Sequence, residues 1–290
     1  MKTDNWSKWH TLGALLILVL IGILEWFIPM RGIVIAWLLT LGLMVLFIMI
    51  LADGITGRFL LGWLINEEYR MSLSRLQMFL WTVVVLSAFL TAAIANLRAK
   101  HLETALAIAI PAEVWTAMGI STTSLVGSGL ILGEKRKKKP TDEDAERGLV
   151  ALGLVTETQL SARATDADAA AAVNKAKQTH LSGVLQRNES PEDARLYDLV
   201  RGEEIKNANV LDLTRVQNLF FTLILIGSYA ASLGSTLLAL ATGKIIPELV
   251  SASGIIGFPS LHESAIALLG ISHAGYLVAK AIDKEPAEKK

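Results

Sequence analysis

Cysteine is absent from the 290 residues, which removes disulfides, thiolate metal sites, iron–sulfur clusters and cysteine nucleophiles together. A charge excess is absent too. The 27 basic and 27 acidic residues cancel, so nothing points to nucleic acid or an acidic substrate as partner. Enzyme signatures are also missing: there is no phosphate-binding glycine loop, no H-E-x-x-H helix, no nucleophile elbow and no carboxylate pair at a membrane interface. Gly127-Ser128-Gly129 lies inside an apolar stretch and reads as a packing patch rather than a nucleotide loop. No catalytic residue, cofactor or metal is therefore expected.

What the chain has is apolar sequence in long blocks. Hydrophobic residues make up 52% of it and mean hydropathy is +0.48, too apolar for an ordinary soluble domain. The blocks predict an all-α, polytopic helical membrane protein with six spans. The first runs from about Thr11 to Met30, after a start in which Trp6 and Trp9 alternate with Lys2, Asp4, Lys8 and His10, as suits an interfacial belt. It is too long for a signal sequence and no small-x-small site follows it. The other spans are expected at Ile33–Leu51, Met78–Leu97, from Pro111 to Leu132, Leu219–Ala241 and Glu263–Ile282.

Glu25 stands late in the first span. The sequence places it near the far interface, paired or solvated, with an intramembrane carboxylate of functional purpose as the alternative. Between the second and third spans, 52–71 is a polar connector whose apolar middle, Phe59–Ile65, is expected along the membrane surface. Ala105–Ile110 reads as an outer segment dipping toward the bilayer, and a re-entrant loop is the alternative.

Residues 134–211 form the sizeable soluble insert, opened by Lys135 to Lys139. Helices are expected from the acidic cluster at Asp142, over Thr165–Lys177, and from Pro191 with Leu196, Leu199 and Val200 as its apolar stripe. Few aromatics suggest a loosely packed unit. The division is thus 1–51, 52–71, 72–133, 134–211 and 212–290. If six spans alternate, Lys8, Arg58, Arg70, Arg75, the basic run, Arg215, Lys280 and the lysines of the tail fall on one side. Arg31, Arg98, Lys100 and Lys244 fall on the other. The positive-inside rule then puts both termini and the insert in the cytoplasm of a bacterial inner membrane.

One polar hexapeptide occurs twice. Ser72-Leu73-Ser74-Arg75-Leu76-Gln77 returns at an offset of 140 as Asp212-Leu213-Thr214-Arg215-Val216-Gln217, and each copy runs into a span. Gly119-Ile120-Ser121 is echoed by Gly270-Ile271-Ser272, each after a proline and a glutamate. The pattern predicts a parallel tandem repeat of helix, outer loop and helix. Ser74 with Gln77, and Thr214 with Gln217, fit capping boxes at headgroup level, while Arg75 and Arg215 would snorkel to lipid phosphate. Binding of an acidic partner or a permeating anion by the arginines is the alternative.

Small residues recur every fourth position in the third to sixth spans, as close helix packing or a homo-oligomer requires. The hydroxyls of Ser121, Thr122, Thr123, Ser124 and Ser128, with His273, are the candidate lining of a polar path. His273 is the one titratable side chain well inside a span, and either a gating or relay role or a hydrogen bond across a helix interface would suit it. No histidine or carboxylate lies four residues from it, against a metal site.

Ser72 to Thr82, Leu196 to Glu204 with its Arg-Gly-Glu-Glu, Asp212 to Thr222 and Leu269 to Leu277 together resemble a group of uncharacterised bacterial multi-span inner-membrane proteins. The resemblance implies a membrane location and brings no site residues with it. The sequence thus points to a homo-oligomeric channel or transport path with a regulatory cytoplasmic insert. The other reading is a non-conducting anchor or scaffold that recruits a cytoplasmic protein through 134–211.

Overall fold

The computed structural model describes residues 6–99, 103–251 and 254–282. Lys2, Asp4, Lys100, His101, Lys284, Lys289 and Lys290 lie outside them. The architecture is all-α and polytopic, with only two short two-stranded ladders among the described residues. Six helices are long and apolar enough to cross a membrane: α1 (Lys8–Phe27), α2 (Ile33–Thr56), α3 (Leu73–Arg98), α4 (Ala112–Lys137), α8 (Leu213–Ala241) and α9 (Glu263–Ala281). Three shorter helices, α5 (Asp142–Ala151), α6 (Glu157–Ala162) and α7 (Ala167–His180), fall between α4 and α8.

Local chemistry sets the ends. Ser7 precedes α1 and its backbone N–H donates to His10 Nδ1 (2.9 Å), while a 3₁₀ turn at Met30–Gly32 reverses the chain into α2. Gly57, at φ 71°, closes α2 in the left-handed conformation that a glycine adopts without a Cβ penalty. The apolar middle of the connector, Phe59–Ile65, is not a regular α-helix. A 3₁₀ turn at Gly62–Leu64 and a bridge between Ile65 and Met71 stand there instead.

The chain forms two compact units, each built from interleaved segments rather than from consecutive blocks. The first comprises residues 1–63, 75–122 and 220–271. Its core is Trp37 of α2, Trp81, Val85, Ala88 and Ala92 of α3, Val114 and Ala117 of α4, and Tyr229, Leu233 and Leu237 of α8. α3 is the most enclosed of the spans. Glu25 lies inside this unit. It is 3% exposed, and it accepts hydrogen bonds from Thr40 Oγ1 of α2 (2.6 Å) and Thr91 Oγ1 of α3. Of the two expectations, paired or solvated, the structure has Glu25 paired, because hydroxyls from two neighbouring helices take the place of water. Arg98 Nη1 donates to the carbonyls of Glu25 (3.2 Å) and Ile28 (2.6 Å), closing the end of α1.

Beyond α3, Ala105–Ile110 forms no helix. Ala109 pairs in parallel with Gly257, its N–H donating to Ile256 O (2.9 Å) and its carbonyl accepting from Phe258 (2.9 Å). β3 (Val250–Ser251) and β4 (Gly254–Ile255) make a small hairpin beside this contact. Asn96 supplies what a further strand would, since Nδ2 donates to Ile255 O (2.8 Å) and Oδ1 accepts from Ile255 N (2.9 Å).

The second unit comprises 64–74, 123–219 and 272–290. Thr141 and Asp166 cap α5 and α7 with their side-chain oxygens. Leu149, Val155, Val173, Ala176 and Ile205 form a core of their own, tighter than the composition of the insert suggests. α7 leads into a hairpin of β1 (Leu181–Ser182) and β2 (Leu185–Gln186). At the turn, Gly183 has φ +65°, and a Cβ there would stand 2.3 Å from Arg136 O, so no larger residue fits against the end of α4. The helix expected from Pro191 does not form. Two 3₁₀ turns replace it, Pro191–Asp193 and Leu196–Leu199. Asp193 and Asp198 bond the N–H groups of Ser190 and Arg195, and Leu196 of the expected stripe is exposed.

Candidate functional site

The hydroxyl set on α4 divides by helix geometry. At about 100° per residue, positions 121, 124 and 128 share a face, and Ser121, Ser124 and Ser128 are all buried. Thr122 and Thr123 are exposed on the other side, and Thr122 Oγ1 donates to Met118 O (2.9 Å) of its own helix. The single path expected from all five hydroxyls is therefore corrected, since neighbours in sequence cannot point the same way on a helix.

On α9, Ser272, His273, Tyr276 and Lys280 are buried. Within the second unit, α4 and α9 approach closely where a Cβ at Gly127 would stand 3.3 Å from Leu277. Ser272 Oγ donates to Asn218 Oδ1 of α8 (3.2 Å). Several polar atoms of this stretch have no hydrogen-bond partner among the described residues: Ser124 Oγ, Asn218 Nδ2 and both ring nitrogens of His273. A buried polar group normally finds a hydrogen bond, and in a bilayer segment leaving one unpaired is costlier still. The expected helix-interface hydrogen bond of His273 is not formed.

The polar face of α9 ends in a cluster of charges. Lys280 Nζ donates to Ser128 Oγ (2.5 Å), to Tyr276 OH (3.1 Å) and to Glu203 Oε1 (2.9 Å), and pairs with Glu203 Oε2 (2.8 Å). Glu203 also pairs with Arg215 of α8, and Ser74 in the first turn of α3 donates to Tyr276 OH (3.4 Å). Lys135 of α4 pairs with Glu204 and donates to Ile282 O (3.1 Å). Basic groups from α4, α8 and α9 thus converge on two consecutive carboxylates of one loop.

Backbone pairing builds that loop. Leu185 bridges Glu204 and Arg201 bridges Leu211, while Gln186 N donates to Glu203 O (2.9 Å). Gly202 is needed at the bend, because a Cβ there would lie 2.3 Å from the Asn207 side chain. Arg70 Nη2 donates to Gly202 O (2.7 Å). Asp198 holds the loop from below, accepting from Met71 N (3.3 Å) and Arg195 N (2.9 Å) and pairing with Arg201 (3.0 Å) and Arg70 (3.7 Å). A cavity of about 20 Å³ remains among Lys135, Glu203, Glu204, Arg215, Tyr276 and Lys280, room for about one water.

The electrostatics follow from burial and pairing. Burial alone pushes the Glu203 carboxyl up, but Arg215 and Lys280 outweigh it and hold the group well below the usual carboxylate range. Arg70 is pushed down to about 10 by burial, against the pull of Asp198 and Glu203. A guanidinium still stays charged at any working pH.

The helix-cap residues take other places than expected. α3 begins at Leu73 and α8 at Leu213, so Ser72 and Asp212 stand at the caps; Asp212 Oδ1 accepts from Thr214 N (3.0 Å) and Thr214 Oγ1 (2.5 Å). Ser74 and Gln77 are fully buried inside α3, and Gln77 Nε2 donates to Thr222 Oγ1 (2.9 Å). Gln217 is exposed and Arg75 partly so. Arg215, 3% exposed and bound to Glu203, does not reach lipid phosphate. Nothing in the sequence alone matches Glu203 with Arg215 and Lys280. The available signal was an acidic pair, Glu203-Glu204, in a segment expected on the basic side of the membrane. No family model, curated protein or solved structure matches the chain.

Proposed function

We propose that this is a multi-pass protein of the bacterial inner membrane that carries an ion or small solute along the buried polar face of α4 and α9. Both termini and the insert lie in the cytoplasm, by the count of basic residues, and the bacterial assignment rests on the resemblance of the Ser72–Thr82 and Arg201–Glu204 motifs. The protein works as a homo-oligomer, and its units arose by duplication of a helix pair. Two coincidences of register support the duplication: α3 and α8 begin at the corresponding residues Leu73 and Leu213, and Gly119 and Gly270 are each the eighth residue of their helices. No catalytic step belongs to the proposal.

One observation carries the transport reading. Ser124, Asn218 and His273 are buried in apolar helices with polar atoms that no group among the described residues satisfies, and polar groups held at such expense in a bilayer serve a pathway or its hydration. The test is flux from proteoliposomes. Ser124→Leu and His273→Leu abolish it, while Thr122→Leu and Thr123→Leu, on the outer face, leave it intact. Equal loss in all four, or no flux in the wild type, refutes the reading.

A second reading, a non-conducting anchor, is favoured by the separate core of the insert and by its cleft of about 650 Å³ bordered by Glu146, Glu157, Leu160, Arg163 and Lys206. It fails if deletion of 140–206 leaves every co-purifying protein in place.

A further inference from the structure

The loop Arg201–Glu204 ends where the polar face of α4 and α9 ends, and its contacts are those of a plug rather than of a connector. Glu203 reaches two spanning helices at once, Arg215 of α8 and Lys280 of α9, and Glu204 reaches a third through Lys135 of α4. Lys280 in turn holds Ser128, the last serine of the α4 face, and its neighbour Tyr276. Beyond Ser128 the same face leads to Ser124, whose hydroxyl has no hydrogen-bond partner among the described residues. A charge at the mouth of a polar path sets what enters it. Here the basic mouth is filled by carboxylates of the protein itself.

We infer that the insert closes the basic end of the polar face as a tethered acidic plug, with Glu203 as its tip and Arg215 and Lys280 as its seat. Its partner chemistry is internal: a carboxylate occupies the position a solute anion would otherwise take. The loop can carry this role because it also has supports other than those helices. Arg70 and Asp198 anchor it from the connector and the 3₁₀ turn, and β2 pairs with it along the backbone. Loss of the Glu203 contacts therefore frees the mouth without unravelling the insert. The inference rests on the polar face being a path, and its test does not require the path to conduct.

The absence of cysteine makes a single introduced thiol an unambiguous reporter. Ser124→Cys is close to isosteric and breaks no hydrogen bond formed here. In proteoliposomes, its modification by a charged, membrane-impermeant methanethiosulfonate added on the side of the insert is slow while Glu203 is present. Adding Glu203→Gln raises the rate at least about tenfold, equivalent to about 1.4 kcal/mol of closure. Glu203→Asp keeps the charge but shortens the reach, and gives an intermediate rate should Glu203→Gln fail to fold. The plug is refuted if the thiol reacts equally fast with and without Glu203, or stays unreactive in every variant yet reacts on denaturation. Accelerated labelling together with no solute flux would uphold the plug and sink the transport reading instead.

Discussion

Glu203→Gln removes one charge from a cluster in which the opposite charges cannot follow it into water. Arg215 is 3% exposed and Lys280 8%, and the Glu203 side chain itself is 13% exposed. Removing one partner of a buried pair leaves an uncompensated charge and costs about 3–5 kcal/mol. The residual exposure of Glu203, and the hydroxyls of Ser128 and Tyr276 that still accept from Lys280, place the expected loss near about 3 kcal/mol. At about 2–4 °C per kcal/mol for a chain of this order of size, the midpoint of thermal unfolding in detergent falls by on the order of 10 °C. A second substitution separates the mechanism from general damage. Lys280→Met removes one of the two stranded cations, so Glu203→Gln costs less in that background, with a coupling of about 1–3 kcal/mol in the double-mutant cycle. A loss below about 1 kcal/mol, as for an exposed ion pair, or strict additivity of the two changes, would refute the picture of a desolvated carboxylate bridging two helices.

Acid should loosen the same contact. The Glu203 carboxyl titrates in the fold below its ordinary 4.5, so its contribution is complete above that value and is lost as pH falls beneath it through the folded value. Unfolding midpoints measured downward from neutral pH therefore drop less steeply in Glu203→Gln than in the wild type; parallel curves would contradict this. Asn96→Ala removes the amide that satisfies both backbone groups of Ile255, each buried. Two orphaned groups at about 1–3 kcal/mol each predict a loss of more than about 2 kcal/mol, with faster hydrogen exchange confined to 250–258. Unchanged exchange there would mean the hairpin holds itself.

How much of this could be read from the chain depends on the range of the force involved. The spans follow from composition over some twenty residues, so they lie where the apolar blocks do, and Gly57, Thr141 and Asp166 mark helix ends by chemistry that needs no distant partner. α3 and α8 begin before the expected span starts at Met78 and Leu219 for the opposite reason. Ser74 and Gln77 look like residues at a water interface, yet Tyr276 and Thr222 bury them from more than a hundred residues away. The helix expected from Pro191 fails likewise. Its acids satisfy local N–H groups, and Asp198 is drawn to Arg70 and Met71 across the connector, so tertiary pairing overrides an i, i+3, i+4 stripe. The candidate path was legible as a density of hydroxyls, but only a buried face tells Ser124 from Thr123.

The two similar hexapeptides, at 72–77 and 212–217, are the sharpest case, because residues at like positions in them do unlike work. Arg215 is seated under the insert on Glu203, whereas Arg75 is partly exposed. Gln77 is buried against Thr222, which follows the second hexapeptide, but no reciprocal hydrogen bond joins Gln217 to Thr82 among the described residues. Gln217 is exposed, and Thr82 Oγ1 instead donates to Met78 O (2.8 Å) of its own helix. A duplication that kept two-fold symmetry would need both contacts or neither. The asymmetry has a physical source in the chain: the insert joins α4 to α8, so the acidic loop arrives beside the second copy, and the basic residue there is drawn inward to meet it. The pair of glutamines makes this testable. Gln77→Ala loses a buried hydrogen bond and about 1 kcal/mol, while Gln217→Ala stays within about 0.5 kcal/mol of the wild type, as exposed positions do. Equal effects from the two would mean that the copies still serve one symmetric purpose, and that the insert is an addition to the bundle rather than the element that broke its symmetry.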